Sequence, residues 1–173
     1  MAQATRSRTR RVRPETLKSF NPVTGQIQGE VVPNSPGEVR DAVAHARKVA
    51  PEWASLPPKA RARMMREVRH RIYERLDDIV RTIADENGKP ASEALSNDIL
   101  TTVLTLRYYE KAAPRALRPE KVGRLSGPLL ARASSRVEWR PYGVVGCISP
   151  WNYPFWLGLQ GVIPALFAGN VVV

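Results

Sequence analysis

Apolar residues recur every three or four positions through the middle of the chain, and this period predicts helices. Ser35-Pro36-Gly37-Glu38 reads as a helix start. Serine can cap the first amides, proline suits the first helical position, and a glutamate three residues on completes a capping box. Val39, Ala42, Val43, Ala46, Val49 and Trp53 follow on one face. Leu56-Pro57-Pro58 ends that helix and opens the next. Met65, Val68, Ile72, Leu76, Ile79 and Ile83 then hold the helical spacing, and predict one helix that stops at Asn87-Gly88. A third helix is expected after Pro90, with Leu95, Ile99, Val103 and Leu106 inward and Pro114 and Pro119 ending it. Stripes of this kind are core-packing faces.

Period-two patterns flank the helices. Phe20 to Val32 carries the turn formers Asn21-Pro22 and Thr24-Gly25 and then alternates, which predicts a hairpin or edge strands. Arg136 to Arg140 alternates as a half-exposed strand would. Residues 141–173 contain no Asp, Glu, Lys or Arg. Within them Tyr142 to Ser149 is apolar on both faces, as in a buried parallel strand. Prolines mark 150–154 as a loop. Phe155 to Ala168 reads as a buried helix bent at Pro164, Gly169-Asn170 ends it, and Val171 to Val173 starts a second strand. This order is a βαβ unit, so the fold class is α/β. A membrane span is excluded by Pro150, Pro154 and Pro164 and by the polar Asn152 and Gln160.

Composition adds three constraints. A length of 173 residues with 43% hydrophobic content suits one domain with an ordinary core. One cysteine, Cys147, permits no internal disulfide, and two histidines leave little for a metal site. Cys147 reads as a small core residue. The net charge of +11 raises nucleic acid or an acidic surface as a partner. Six basic residues against Glu15 alone sit in residues 1–18, which read as a solvated arm without an apolar signal region. The rest of the excess lies mainly between Arg61 and Arg81, mixed with Glu67, Glu74, Asp77 and Asp78 as on a solvated face. A non-catalytic basic protein binding nucleic acid or an acidic partner is therefore the alternative reading. The interleaved acids, and the lack of an aromatic–basic patch, count against it.

The candidate site lies at the carboxyl end of the strand 142–149, where open α/β sheets bind ligands. Pro150-Trp151-Asn152 sits there, with the dipole of the following helix directed at the same edge. The Asn152 amide could donate to a developing oxyanion. It could equally cap the helix.

Arg140 to Pro154 reads RPYGVVGCISPWNYP, and Pro164 to Val173 reads PALFAGNVVV. These runs resemble the aldehyde dehydrogenase superfamily, whose pattern is P-x-G-V-x-G-x-I-x-P-W-N-[FY]-P followed by P-A-L-x-x-G-N-x-[VI]-V. Phe20 to Gly25 resembles the family's NPATG hairpin, and Trp53 with Arg61 its W…R helices. The resemblance covers about residues 18–173, with a general character nearest the succinate-semialdehyde type. It implies oxidation of an aldehyde to an acid with NAD or NADP, through a cysteine thiohemiacetal and hydride transfer. Asn152 matches the oxyanion-stabilising asparagine. Ile148, Ser149, Pro150 and Trp151 match the segment lining the cofactor, and Tyr153 and Leu157 match positions bordering the aldehyde tunnel. Cys147 does not match the nucleophile. The family's cofactor lysine, general-base glutamate and nucleophilic cysteine match nothing in residues 1–173. The resemblance thus implies the N-terminal part of a cofactor-binding domain over 19–173, inactive without the remaining polypeptide. It further implies a cytoplasmic homo-oligomer with an oligomerisation strand near 124–141, no membrane association and no nucleic-acid partner.

Overall fold

The computed structural model describes residues 16–122 and 135–173. Strands β1 (Leu17–Phe20) and β2 (Ile27–Val31) form an antiparallel hairpin. Leu17 and Lys18, counted with the basic arm, thus begin the first strand; residues 1–15 of that arm lie outside the described residues. The Asn21 carboxamide oxygen accepts from the amides of Val23 and Thr24 at 2.9 and 3.0 Å, which shapes the turn. Helices α1 (Pro36–Ser55), α2 (Pro58–Glu74) and α3 (Leu76–Asn87) follow. Next come one α-turn, α4 (Ala91–Glu93), a π-helical segment (Ala94–Leu100) and α5 (Thr101–Ala116) without a break. Strands β3 (Glu120–Val122) and β4 (Ser135–Val137) pair antiparallel. Residues 124–134 of the expected oligomerisation region lie outside the described residues. A parallel pair, β5 (Val144–Val145) and β6 (Val171–Val172), encloses α6 (Pro154–Gln160) and α7 (Val162–Phe167) as a βαβ unit.

The capping box opens α1 as expected: the Glu38 amide donates to the Ser35 hydroxyl at 3.2 Å and the Ser35 amide to the Glu38 carboxylate at 2.7 Å. The Ser35 amide, bonded to the carboxylate, and then the Ser35 side chain beside it hold the Glu38 carboxyl below its ordinary range. At the end of α3, Gly88 adopts φ 74°, and an added Cβ would lie 2.6 Å from Cγ of Pro22. Only glycine allows the helix end to meet the hairpin turn that closely.

The core is formed by α2, α3, the π-helical segment, α5 and α7. It comprises Ala62, Met65, Ile72, Ile83, Ala94, Ile99, Val103, Leu106, Ala113, Ile163 and Phe167. The Phe167 ring stacks on Tyr109 at 5.8 Å.

Several sequence expectations are corrected. The stripe from Met65 to Ile83 is two helices, because the chain leaves helical geometry at Arg75 (φ −111°, ψ 21°). On α1, burial falls on Ala46 and Ala50, while Val39, Ala42 and Val49 are exposed. Leu95 faces outward because the wider π turn rotates Ala94, Asp98 and Ile99 into the core instead. Pro114 lies inside α5. The expected strand 142–149 narrows to Val144–Val145, half-buried, with Tyr142 and Ile148 fully exposed. Among the described residues it pairs only with β6. Cys147 is half-buried, not a core residue. The helix after it breaks at Gly161, and Pro164 lies within α7. In 136–140 the extended part stops at Val137 and is exposed throughout.

Arg61 does not belong to a solvated face; it is 4% exposed. Its guanidinium donates to the carbonyls of Leu56, Ala54 and, at 3.1 Å, Phe167. These carbonyls end or follow α1 and α7, so one buried cation meets the negative poles of two helices. Burial pushes its pKa down from the ordinary value, yet an arginine stays charged near neutrality. The Trp53 indole donates to the Leu166 carbonyl at 3.0 Å beside it. Four other arginines in this stretch are paired with acids, among them Arg69 with Glu110 at 2.7 Å and Arg71 with Glu74 at 2.7 Å. Among the described residues, no helix is long and apolar enough to cross a membrane.

Two tests follow from this packing. Arg61→Met strands carbonyls at two helix ends and is expected to cost on the order of 3 kcal/mol in urea unfolding. An unchanged midpoint would contradict the role assigned to the guanidinium. Glu110 is the second case. Burial raises its pKa, but Arg69 and Arg66 outweigh that and leave it below the ordinary value. Its stabilising contribution is then complete above the unfolded carboxyl pKa and lost as pH falls through the lower folded value. Glu110→Gln is expected to cost on the order of 2 kcal/mol near neutral pH. The gap to wild type should close as pH falls from 6 to 3, and a gap independent of pH would refute the ion-pair account.

Candidate active site

The loop joining β5 to α6 carries the candidate residues. Gly143 starts the approach: its amide donates to the Asn170 carboxamide at 3.0 Å, and its carbonyl accepts from the Val171 amide at 2.9 Å. Asn170 also donates to the Ala165 carbonyl at 3.2 Å, so one buried amide ties β5 to the end of α7. The Cys147 amide donates to the Val173 carbonyl at 2.8 Å, which carries the parallel pairing up to the loop.

Beyond that point the chain opens into two adjoining cavities. One, of ≈ 550 Å³, is lined by Ile148, Ser149, Pro150 and Leu157 together with Gly146 and Gly161. The other, of ≈ 500 Å³, is lined by Asn152, Tyr153 and Leu157 with Asn97, Thr101 and Trp156. Leu157 stands on the wall of both. Three of the four expected cofactor residues therefore share one cavity, and Asn152 shares the other with Tyr153. Trp151 lines neither and is 82% exposed. Asn97, Thr101 and Trp156 went unnoticed in the sequence. Only helical phase selects Asn97 and Thr101, and the π turn changes that phase.

Asn152 does not cap α6. The cap position is Tyr153, which makes no capping bond with its side chain. The cap comes instead from Asp98, 57 residues earlier in sequence. One oxygen of its carboxylate accepts from the amides of Phe155 and Trp156, both at 3.1 Å. The other accepts from Lys89 Nζ at 2.9 Å. Asp98 is wholly buried, and the Lys89 side chain is 8% exposed. Lys89 Nζ donates in addition to the main-chain carbonyl of Asn152 at 3.0 Å and lies 4.4 Å from the centre of the Tyr153 ring. Asn87 donates to the carbonyl of Trp151 at 3.2 Å. The loop is thus bonded by its main chain, which leaves the Asn152 side chain at the surface.

The strand end offers a cradle whose chemistry can be read from its lining. A cradle with two glycines in its wall, bordered by exposed apolar side chains and free of charge, suits a flat heteroaromatic ring. The neighbouring cavity sets a carboxamide donor beside aromatic walls, as a carbonyl substrate needs.

The aldehyde dehydrogenase family matches residues 9–173, and the chain belongs to that family. The 4,4'-diapolycopene aldehyde oxidase of a Methylomonas species is 35% identical over 158 residues, covering 91% of this chain and 30% of its own length. The methylmalonate-semialdehyde dehydrogenase of Oceanimonas doudoroffii aligns with a TM-score of 0.82 at 28% identity, over 98% of this chain and 33% of its own. PnpE in complex with nicotinamide adenine dinucleotide aligns with a TM-score of 0.82 at 25% identity, over 91% of this chain and 31% of its own. The chain therefore spans about a third or less of these relatives.

The Asp98 geometry is open to a direct check. Asp98→Ala leaves a buried ammonium unpaired and two amides unsatisfied, and should cost about 3–5 kcal/mol of stability. A loss below about 1 kcal/mol would mean that the carboxylate is not what caps α6.

Proposed function

We propose that this chain forms the amino-terminal part of an NAD(P)-dependent aldehyde dehydrogenase that oxidises an aldehyde to a carboxylic acid. The observation that supports it best is the pairing of cavities about Leu157: one suits a nicotinamide ring, and the other carries the Asn152 amide. Bound NAD(P) would supply the hydride acceptor. Ile148, Ser149 and Pro150 would hold it, with Trp151 at the border. Tyr153 and Leu157 would flank the aldehyde. The nucleophilic thiolate and the general base come from polypeptide beyond this chain, since its one cysteine, Cys147, sits on the strand side of the first cavity.

Asn152 has one task in this scheme. Attack on the aldehyde carbon turns the carbonyl oxygen into an oxyanion, and the Asn152 amide donates to it. A neutral donor already in place stabilises that charge without reorganisation. Two further parts belong to the reading. Among the described residues the β3–β4 ladder is exposed, with Val122 and Val137 on it and Trp139 just beyond, a surface in keeping with a homo-oligomer. A cytoplasmic location belongs to the same reading.

In the full-length enzyme, Asn152→Ala should lower kcat on the order of a hundredfold with a small change in KM, read as reduced nicotinamide formed per unit time. Turnover at the wild-type rate would overturn the oxyanion role.

A further inference from the structure

We propose that Lys89 and Asp98 form a positioning pair that sets the Asn152 loop for oxyanion binding. The inference rests on the reading of Asn152 given above.

The pair reaches the loop from both sides of Asn152. On one side, Lys89 Nζ donates to the carbonyl of Asn152 itself at 3.0 Å. On the other, Asp98 accepts from Phe155 and Trp156 at 3.1 Å each, fixing the chain three and four residues on. The bond between the two side chains, at 2.9 Å, makes both grips one unit. The ammonium donates to Asp98 and to the Asn152 carbonyl and lies over the Tyr153 ring as a cation–π contact. Tyr153 is the aromatic wall beside Asn152, so the same cation touches two site residues.

Burial supplies the second argument. Taking a lysine and an aspartate out of water is costly, and well-packed apolar residues of similar volume usually do as well. A pair kept for packing alone would have its remaining bonds within the helices around it. Here the remaining side-chain bonds run to the loop, α6 and Tyr153. Asp98 also lies in the π-helical segment, and such segments often occur at functional sites. Lys89 and Asp98 touch neither substrate nor cofactor in this scheme. Their effect passes through the main chain of Asn152, where a shift of about 1 Å in a donor is enough to slow a reaction severely.

The test is a double-mutant cycle in the full-length enzyme, with kcat and KM measured for Lys89→Met, Asn152→Ala and the two together. Lys89→Met is expected to lower kcat roughly tenfold with KM nearly unchanged. In the Asn152→Ala background the same substitution should lower kcat less than about twofold, since the group it positions is gone. Equal losses in both backgrounds would overturn the pair's positioning role and leave the oxyanion role standing. Wild-type turnover of Asn152→Ala would overturn both. If Lys89→Met does not yield folded protein, Asp98→Asn runs through the same cycle, because it keeps an oxygen for α6 and removes the charge facing Lys89. The expected and contrary outcomes are the same.

Discussion

A buried carboxylate joins the two halves of this structure. Asp98 has no contact with solvent, so each of its oxygens must be used internally. The amides that begin α6 need an acceptor, and the residues just before that helix supply none from their side chains. Asp98 meets both demands at once. It brings negative charge to the positive pole of α6 and takes its own countercharge from Lys89. The helical layer and the βαβ unit are thus held at a defined position where apolar packing alone could slide.

Arg61 performs the converse task at the other end. The guanidinium lies against the last carbonyls of α7 and those closing α1. Gly169, at φ 96°, turns away directly beside it, and an added Cβ would stand 3.2 Å from the guanidinium carbon. Trp53 and Asn170 fasten the same region through Leu166 and Gly143. Residues 141–173 carry no charge of their own, yet ions from the helical layer grip them at both ends. Acid sits at the start of the first helix and base at the end of the second, the order that helix dipoles favour.

Much of this was legible in the residues. The capping box at Ser35, the turn at Asn21 and the stop at Gly88 are local events, decided by side chains within four positions of the bonds they make. The parallel pairing of Val144 with Val171 follows from two apolar runs separated by a helix. The run PWNYP singled out the candidate loop because several unusual residues stand there in a fixed order. What holds that loop was not visible. Asp98 is a polar residue beside a stripe of Leu95, Ile99 and Val103, and nothing local assigns its partner to residue 155. An acid next to an inward face is a usable signal, since such a residue must find a donor if buried. Arg61 was misread for a related reason. Spacing among charged neighbours suggested water, and only the arrival of α7 removed it.

By itself the sequence determined the class of elements, their order, most of their ends and the candidate loop. Those features depend on backbone preferences and on bonds across a few residues. The tertiary structure decided the phase of the π-helical segment, the break at Arg75, the short reach of β5 and the pairing of Lys89 with Asp98. Each of these is settled between segments far apart in sequence. There the cost of burying a charge or leaving an amide unsatisfied outweighs local propensity, and that cost arises only when distant surfaces meet.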